Sequence, residues 1–519
     1  MYLNTQQGFE SFKERLRSKV FVDKSMIIEI LNERIGTDDK YICITRPRRF
    51  GKSQITYLLE SYYSKEVNGK EIFDKLKISS TANYEEYLNK YNVIKLDFSD
   101  VEVEDTYEQY IGRIKRNLIK DLERKYTEVD LEQYDLISNK LLATEEKFIF
   151  IIDEWDFIFN KGLYIQNQKN FLEFLRNLLK GKTYVALCYM TGILPIKKHS
   201  TGSALNMFEE YTLLDDSIFE EYFGFTEEEV QKLCLEHDMP YEEVKRWYNG
   251  YLTENGIRVF NPRSVNIAIT KKKCKSYWVN TGAMDEVLLY LRIDPDEVRD
   301  DVLRMVAGEE VEAYDIEEFR AGQEFPTTKE EVYSAMITLG FLTYFDGMMS
   351  IPNKELMKEF EKALKAPCFG EIAILAKKSQ EVLRATLNCD ADKVAQIIQE
   401  VHNLRVDLYD YSKENGLTYV VDFAYMAARD RYRIEKEEHC GKGRADFTFH
   451  PISKRDIPMI IELKCNDDSQ TAIDQIVERE YSSKLFNLHK RDILIIGINY
   501  DGKTKVHTCE IKKLYYNLD

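Results

Sequence analysis

No stretch of this 519-residue sequence reaches the roughly 18 consecutive apolar residues that a membrane-spanning helix requires. The opening MYLNTQQGFESFKERLRSKV lacks the apolar core of a secretory signal. Low-complexity linkers and obvious repeats are missing too. Nine cysteines are scattered from Cys43 to Cys509, and no two form a CxxC pair. An odd, dispersed set reads as reduced thiols, mostly in packed positions, so a cytoplasmic protein with no membrane contact is expected. Positive charge is also short: 73 Lys and Arg stand against 90 Asp and Glu, a net charge of −17. A uniformly acidic surface repels nucleic acid, so any nucleic-acid site must be a local basic groove or be bridged by metal.

The sequence is rich enough in core-forming residues, 44% hydrophobic with 31% charged, to exclude a disordered chain. At about 150 residues per domain, its length suggests roughly three folding units. Four short apolar, β-rich runs occupy the first part: Tyr41–Thr45, Val93–Phe98, Phe148–Ile152 and Tyr184–Met190. Helix-like stretches separate them, including Phe9–Leu31, Thr106–Lys125 and Asn170–Lys180. Buried strands alternating with helices predict an α/β fold with a mostly parallel sheet. This domain is expected over 1–225.

From Thr226 the texture changes. Thr226-Glu-Glu-Glu229 is a capping box, and helical periodicity then dominates, returning in Asp285–Met305 and Lys329–Leu339. A helical lid is expected over 226–290 and a helical connector over 291–400. The last segment, 401–519, alternates again: helix Ser412–Ala428, strands Arg433–Glu438, Ala445–Phe449 and Met459–Cys465, helix Thr471–Leu488, strands Asp492–Asn499 and Val506–Ile511. It holds 19 basic and 20 acidic residues, so the acidity lies upstream and this module is free to accept a polyanion.

Strand Tyr41–Thr45 runs straight into Arg46-Pro-Arg-Arg-Phe-Gly-Lys-Ser53 and then a helical QITYLLESYY. Such a strand–loop–helix junction binds phosphate. Amides at the helix start point outward, Lys52 reaches the terminal phosphates, and the Ser53 hydroxyl ligates Mg²⁺. Gly51 permits close approach of the main chain, with Phe50 beside it. Arg48 and Arg49 would contact phosphate or another subunit. Arg46 stands where the usual pattern has glycine, and Pro47 holds it extended, so the loop enters by a different path. Phe148-Ile-Phe-Ile-Ile-Asp-Glu154 then supplies two carboxylates at a buried strand end. Asp153 suits a Mg²⁺-linked role and Glu154 would polarise the attacking water; the alternative is a solvated acidic turn. Thr191, at the end of the next strand, would sense the terminal phosphate or simply cap the strand. RPRRFGK could also be an import or nucleic-acid patch, but its strand and helix flanks already explain it.

A second constellation lies near the C-terminus. Gly443-Arg-Ala-Asp446 opens one strand, and Ile460-Ile-Glu462-Leu-Lys464 lies on the next. Strand alternation puts Glu462 and Lys464 on one face. With Asp446 alongside, two carboxylates and an ammonium converge. Two carboxylates at about 4 Å repel by roughly 1–4 kcal/mol, and a divalent cation reverses that sign. Mg²⁺ or Mn²⁺ is therefore expected at Asp446 and Glu462, with Lys464 orienting the nucleophile or stabilising charge in phosphodiester hydrolysis. Glu414, on the preceding helix, would complete the metal shell, and Gln475 would hydrogen-bond into the site with Tyr481 beyond it. The alternative is that Asp446 caps a turn and Glu462–Lys464 is a surface ion pair. Trp247-Tyr-Asn-Gly-Tyr251 reads as a packed turn rather than a base contact. His439 and His450 lack metal-ligand spacing.

These marks together resemble the bacterial and archaeal predicted AAA-ATPase-like proteins that carry a C-terminal PD-(D/E)XK nuclease-like domain. The resemblance covers most of the chain: Phe21-Val-Asp-Lys-Ser25, RPRRFGKS, IIDE with Trp155-Asp156, Thr191-Gly-Ile193, Phe223-Gly-Phe-Thr-Glu-Glu-Glu-Val230, WYNGY, Phe260-Asn-Pro262 and Tyr277-Trp-Val-Asn-Thr281. The C-terminal match runs from Glu414 through GRAD, IIELK and Gln475 to Tyr481. It implies an ASCE-type P-loop ATPase core with a helical lid, followed by a restriction-endonuclease-like α/β domain. It further implies ATP and Mg²⁺ at Lys52, Ser53, Asp153 and Glu154, a divalent metal at Asp446 and Glu462, and Lys464 as the nuclease lysine. The expected function is an ATP-regulated, metal-dependent nuclease acting on DNA rather than RNA. The competing expectations are an ATP-controlled binding switch that does not cut, and an ATP-dependent DNA remodeller. A second copy of the chain stays open as a partner, as does the source of any arginine finger.

Overall fold

Every apolar run that the sequence marks as a strand forms one in the computed structural model, which describes residues 1–519 apart from 103, 197–203, 279–290, 292–297, 315, 324–325, 365–370, 404–413, 454 and 517–519. The strands β1 (Tyr41–Thr45), β2 (Asn92–Asp97), β3 (Phe148–Asp153), β4 (Val185–Gly192) and β5 (Glu209–Tyr211) make one sheet in the order β2-β3-β4-β1-β5. All of its pairings are parallel. Parallel strands need crossover helices, which cover both faces, and β1, β3 and β4 are accordingly buried at every residue. The helix Tyr107–Lys125 shows the logic locally. Thr106 and Gln109 close a capping box, and Tyr110, Ile111, Ile114, Leu118 and Leu122 recur at helical spacing on its buried side. One strand, β4, separates the loop strand β1 from the acid strand β3, so both carry their polar ends to the same sheet edge. This is the ASCE-type arrangement.

The chain divides into two compact units: Met1–Met305 with Glu310–Glu359, and Val306–Glu309 with Phe360–Asp519. Within the first, the expected lid contains helices Glu227–Glu236, Tyr241–Tyr248 and Pro262–Lys271. It also holds short strands that periodicity does not reveal: β6 (Phe225–Thr226), β7 (Tyr251–Leu252) and β8 (Arg258–Phe260) form an antiparallel sheet in the order β6-β8-β7. A second small sheet, β10-β11-β9, joins β9 (Val311–Glu312), β10 (Thr343–Phe345) and β11 (Met348–Ser350). The aromatic turn is packed, as its sequence suggests. Tyr251 donates to Gly340 O at 3.0 Å, and Gly250, at φ +122°, lies where a Cβ would come within 1.8 Å of Pro352 O. Of the expected helix Asp285–Met305, the described part is Val298–Val306; the rest lies mostly outside the described residues.

The second unit is built on a mixed sheet of β12 (Tyr432–Cys440), β13 (Gly443–Pro451), β14 (Met459–Cys465), β15 (Ile493–Asp501) and β16 (Val506–Leu514), in that order. Only β14 and β15 run parallel; the other neighbours are antiparallel. The parallel pair needs a crossover, supplied by helices Ser469–Glu478 and Ser482–His489. Ile473, Ile476, Tyr481 and Leu485 from that crossover pack with Ile460, Ile493 and Ile495 of the sheet. Helix Glu414–Ala424 also lies against β14. No described helix is long and apolar enough to cross a membrane.

Candidate functional site

The loop after β1 turns through two left-handed residues, Arg49 at φ +73° and Gly51 at φ +95°, before the helix Lys52–Tyr63 begins. A cavity opens there, lined by Arg48, Arg49, Gly51, Lys52, Ser53 and Glu154, with Arg15, Lys161 and Arg263 around it. The missing glycine is explained by where Arg46 goes. It turns away from the cavity into the interior, where it pairs with Asp216, both side chains being 1% exposed. It also donates to Thr45 O at 2.8 Å and Tyr211 O at 3.0 Å and lies over the Phe223 ring. Removing one partner of a buried pair strands the other charge at a cost of about 3–5 kcal/mol. Asp216→Ala is therefore expected to lower unfolding stability by that amount in chemical denaturation.

Lys52 is buried and donates to Arg46 O at 2.8 Å and Pro47 O at 3.0 Å. Burial pushes its pKa down to about 8, against the pull of Asp156, Asp153 and Glu154. Asp153, also buried, is pushed up to about 6 by desolvation, partly offset by a hydrogen bond from Ser53. The β2–β3 register sets Asp97 opposite it, a second carboxylate that the sequence did not single out. Glu154 sits at φ +48°, and burial raises its pKa. A hydroxyl, one carboxylate and a lysine thus line the cavity, with buried Asp153 behind Ser53, a donor set that suits Mg²⁺ and a triphosphate.

Not every expected contact is made. Thr191 is fully buried and its hydroxyl donates to Ile44 O at 2.8 Å; it does not line the cavity. Arg49 packs over the Trp278 ring and donates to Tyr277 O and Trp278 O, so its head group ties the loop to that segment. Phe50 turns its ring edge-on to Tyr251, with centroids 4.9 Å apart, and its carbonyl accepts from Gly224 N–H. The Trp155-Asp156 and Thr191-Gly-Ile193 marks are one clamp. Asp156 accepts from Ile193 N–H at 3.1 Å and Leu194 N–H at 2.8 Å, and a Cβ on Gly192 would come within 2.3 Å of that carboxylate.

In the second unit, the β13–β14 pairing runs from Phe449–Met459 to Phe447–Ile461 and stops. The next residue, Asp446, turns its carboxylate to accept from Leu463 N–H at 2.7 Å. Lys464 Nζ lies 3.7 Å from Glu462 Oε1 and donates to Gln475 Oε1 at 2.6 Å. The Gln475 amide in turn donates to Glu462 Oε1 and, at 3.3 Å, to the Tyr481 hydroxyl. Asp446, Glu462, Lys464 and Gln475 therefore meet. The side chain of Glu414, first residue of its helix, lies outside the described residues. Glu462 is 3% exposed, and its Oε2 is buried with no hydrogen-bond partner. Desolvation, with Asp446 adding to it, pushes its pKa up to about 8. An orphaned carboxylate oxygen beside a second carboxylate fits a divalent cation. His439 is exposed and accepts from Arg444, while buried His450 bonds Glu438 at 2.9 Å and, with Glu438 and Glu435, brings three possible ligand atoms within 4.8 Å of one another.

Family models match one segment in each of the two units. Residues 6–201 match the predicted AAA-ATPase family, and residues 415–510 match the PD-(D/E)XK nuclease superfamily. The chain joins a predicted AAA-ATPase to a PD-(D/E)XK nuclease superfamily domain. No curated protein matches it. Among solved structures, it is similar to the Walker-type ATPase PABY2304 of Pyrococcus abyssi, at 13% identity and a TM-score of 0.33, over 65% of this chain and 94% of that one. It is also similar to the Aeropyrum pernix ORC2 protein in ADPNP–ADP complexes, at 10% identity and a TM-score of 0.28, over 72% and 100%. Both likenesses are remote.

Three basic residues lining the cavity of the ATPase domain escaped the sequence reading: Arg15, Lys161 and Arg263. The Phe260-Asn-Pro262 mark stops one residue short of Arg263, whose N–H and that of Ser264 are held by the Asn261 cap. In the nuclease-like domain, Glu462 carries a testable sign. Its raised pKa means that the folded chain keeps a proton the unfolded chain has lost. Metal-free stability should therefore fall as pH rises from the ordinary carboxylate range towards about 8. Divalent metal must displace that proton. Calorimetric titration of Mn²⁺ at pH 7, in two buffers of different ionisation enthalpy, is expected to show release of close to one proton. Glu462→Gln removes both the release and the pH slope.

Proposed function

We propose that the chain binds and hydrolyses ATP with Mg²⁺ at the Lys52–Asp153 cavity and couples that cycle to metal-dependent cleavage of DNA at Asp446–Glu462. The nuclease half is carried by one observation: the buried, partnerless Oε2 of Glu462 beside a second carboxylate and an ammonium. Without a cation, that set is balanced by a proton on Glu462, which a divalent ion would displace. A divalent ion held by Asp446 and Glu462 would supply an activated water and charge neutralisation at phosphorus. Lys464, positioned by Gln475, would stabilise charge developing on the phosphate oxygens or orient the nucleophile. In the ATPase domain, Lys52 would bind the terminal phosphates, Ser53 and Asp153 would hold Mg²⁺, and Glu154 would orient the attacking water. The near balance of charge over 401–519 leaves this end of the chain free to accept a polyanionic substrate, and a cytoplasmic setting suits both sites.

The test is cleavage of plasmid and linear DNA by the full chain with Mg²⁺ or Mn²⁺, with and without ATP. Cleavage that EDTA abolishes is expected. Equal residual cleavage in Asp446→Ala and Lys464→Ala removes the nuclease assignment. Metal binding without cleavage would favour an ATP-controlled binding switch.

A further inference from the structure

The hairpin that leads into the nuclease-like strand is clamped onto the break between the two crossover helices. After β12, the turn Cys440-Gly-Lys-Gly443 enters β13 three residues before Asp446. Lys442 N–H donates to Arg479 O at 2.8 Å. Gly441, at φ +51°, lies so close that a Cβ would come within 2.3 Å of Arg479 O and 2.4 Å of Glu480 O. A Cβ on Gly443 would come within 2.7 Å of the Tyr481 hydroxyl and 3.3 Å of Arg479 Nη1. The Arg479 guanidinium therefore lies against the same glycine as Tyr481, whose hydroxyl is one hydrogen bond from Gln475 and two from Glu462. Main-chain contacts thus fix the root of this arginine beside the Asp446–Glu462–Lys464 set.

Its charge sets Arg479 apart from the cations around it. Lys442 pairs with Glu480 at 2.6 Å, Arg444 with Glu437 at 3.6 Å, and Lys484 with Glu438. Arg479 is exposed and makes no ion pair or side-chain hydrogen bond among the described residues. Of its acidic neighbours, Glu480 is taken by Lys442, and Glu478 lies one residue back, about 100° round the helix. A guanidinium is weakly hydrated and its planar fork matches two phosphate oxygens. An unpaired one beside a phosphodiester site suits the substrate backbone. The alternative is a solvated cation at a helix C-terminus, where Arg479 is the cap residue; it would then act on folding alone. Strand rise puts Gly443 about 10 Å from Asp446. A phosphate at Arg479 would therefore lie about two or three nucleotides from the one being cut.

We infer that Arg479 binds a backbone phosphate of duplex DNA flanking the scissile bond and so seats the strand on the Asp446–Glu462 site. This rests on the nuclease reading above, and the experiment separates the two. Binding of a fluorescent DNA duplex to the full chain is followed by anisotropy between about 50 and 200 mM salt. Mg²⁺ is present, and an Asp446→Ala background prevents cutting. Removing one phosphate contact flattens the slope of log affinity against log salt by about 0.9. Arg479→Ala is expected to lose that increment and to bind roughly tenfold more weakly at the low-salt end. Arg479→Lys should recover the slope, which a purely structural role would not. Lys442→Ala and Arg444→Ala, whose charges are already paired, should shift it by less than about half as much. If Arg479→Ala failed to fold, Arg479→Gln decides by the same slope. An unchanged slope, or an equal loss in Lys442→Ala and Arg444→Ala, overturns the contact and leaves the nuclease reading standing. Failure of both the wild-type and the Asp446→Ala chain to bind duplex DNA at about 50 mM salt overturns the nuclease reading and this proposal with it.

Discussion

Asp446→Ala and Lys464→Ala are each expected to lower metal-dependent DNA cleavage by roughly three orders of magnitude, because each removes a group placed where charge changes in the reaction. The two losses should differ in kind. Asp446→Ala deletes a carboxylate from the cation site, so Mn²⁺ affinity measured by calorimetry falls with turnover. Lys464→Ala deletes a positive charge 3.7 Å from Glu462, so Mn²⁺ binding is retained or tightened while cleavage is lost. Folding provides the control. Asp446→Ala gives up one hydrogen bond to Leu463 N–H, worth about 1 kcal/mol. It also relieves the repulsion that raises the pKa of Glu462. These effects oppose each other, so the metal-free unfolding midpoint should move little. Loss of cleavage with an unchanged midpoint would locate the defect in the chemistry. If Lys464→Ala cleaved at the wild-type rate, the lysine would be no more than a partner for Gln475.

The nuclease-like site was legible because its geometry is local. Glu462 and Lys464 follow from strand alternation alone, and Asp446 lies one residue beyond the last paired position, Phe447–Ile461. The orphaned Oε2 was not legible, because it depends on burial by the crossover helices. That crossover also reads as one helix over Thr471–Leu488. In the fold it breaks at Glu480, φ +56°, and fully buried Tyr481 follows at once. The expected helix Phe9–Leu31 likewise breaks into Gln7–Leu16 and Ile27–Arg34. Strand β5, with the sequence EEY, has neither the length nor the apolar pattern of its neighbours. It pairs only with β1, at the sheet edge, where a polar strand is tolerated. Arg46 shows the limit most plainly. That it departs from glycine is visible in the loop. Its destination is not, since its partner Asp216 lies 170 residues away and only the completed sheet brings them together.

Lys52→Ala is expected to abolish ATP turnover, a fall of roughly 10²–10³-fold, and to weaken ATP binding as well. In the loop, Lys52 donates to two neutral carbonyls, of Arg46 and Pro47. Phosphate oxygens are better acceptors because they are charged, and their approach also favours the protonated amine, which burial, against the pull of Asp156, Asp153 and Glu154, holds near pKa 8. Substrate binding therefore strengthens the group that binds it. Alanine also strands the two carbonyls, at about 1–3 kcal/mol, so lost turnover in this variant alone would not separate chemistry from a collapsed loop. Glu154→Gln separates them. Glu154 lines the cavity, and its amide would leave ATP binding intact while turnover falls about a hundredfold, since it no longer draws a proton from water. Comparing DNA cleavage across the pair then measures coupling. A switch driven by ATP binding leaves cleavage in Glu154→Gln near the wild-type level and loses it in Lys52→Ala. A switch driven by hydrolysis loses it in both, and unchanged cleavage in both variants would mean that the two domains act independently.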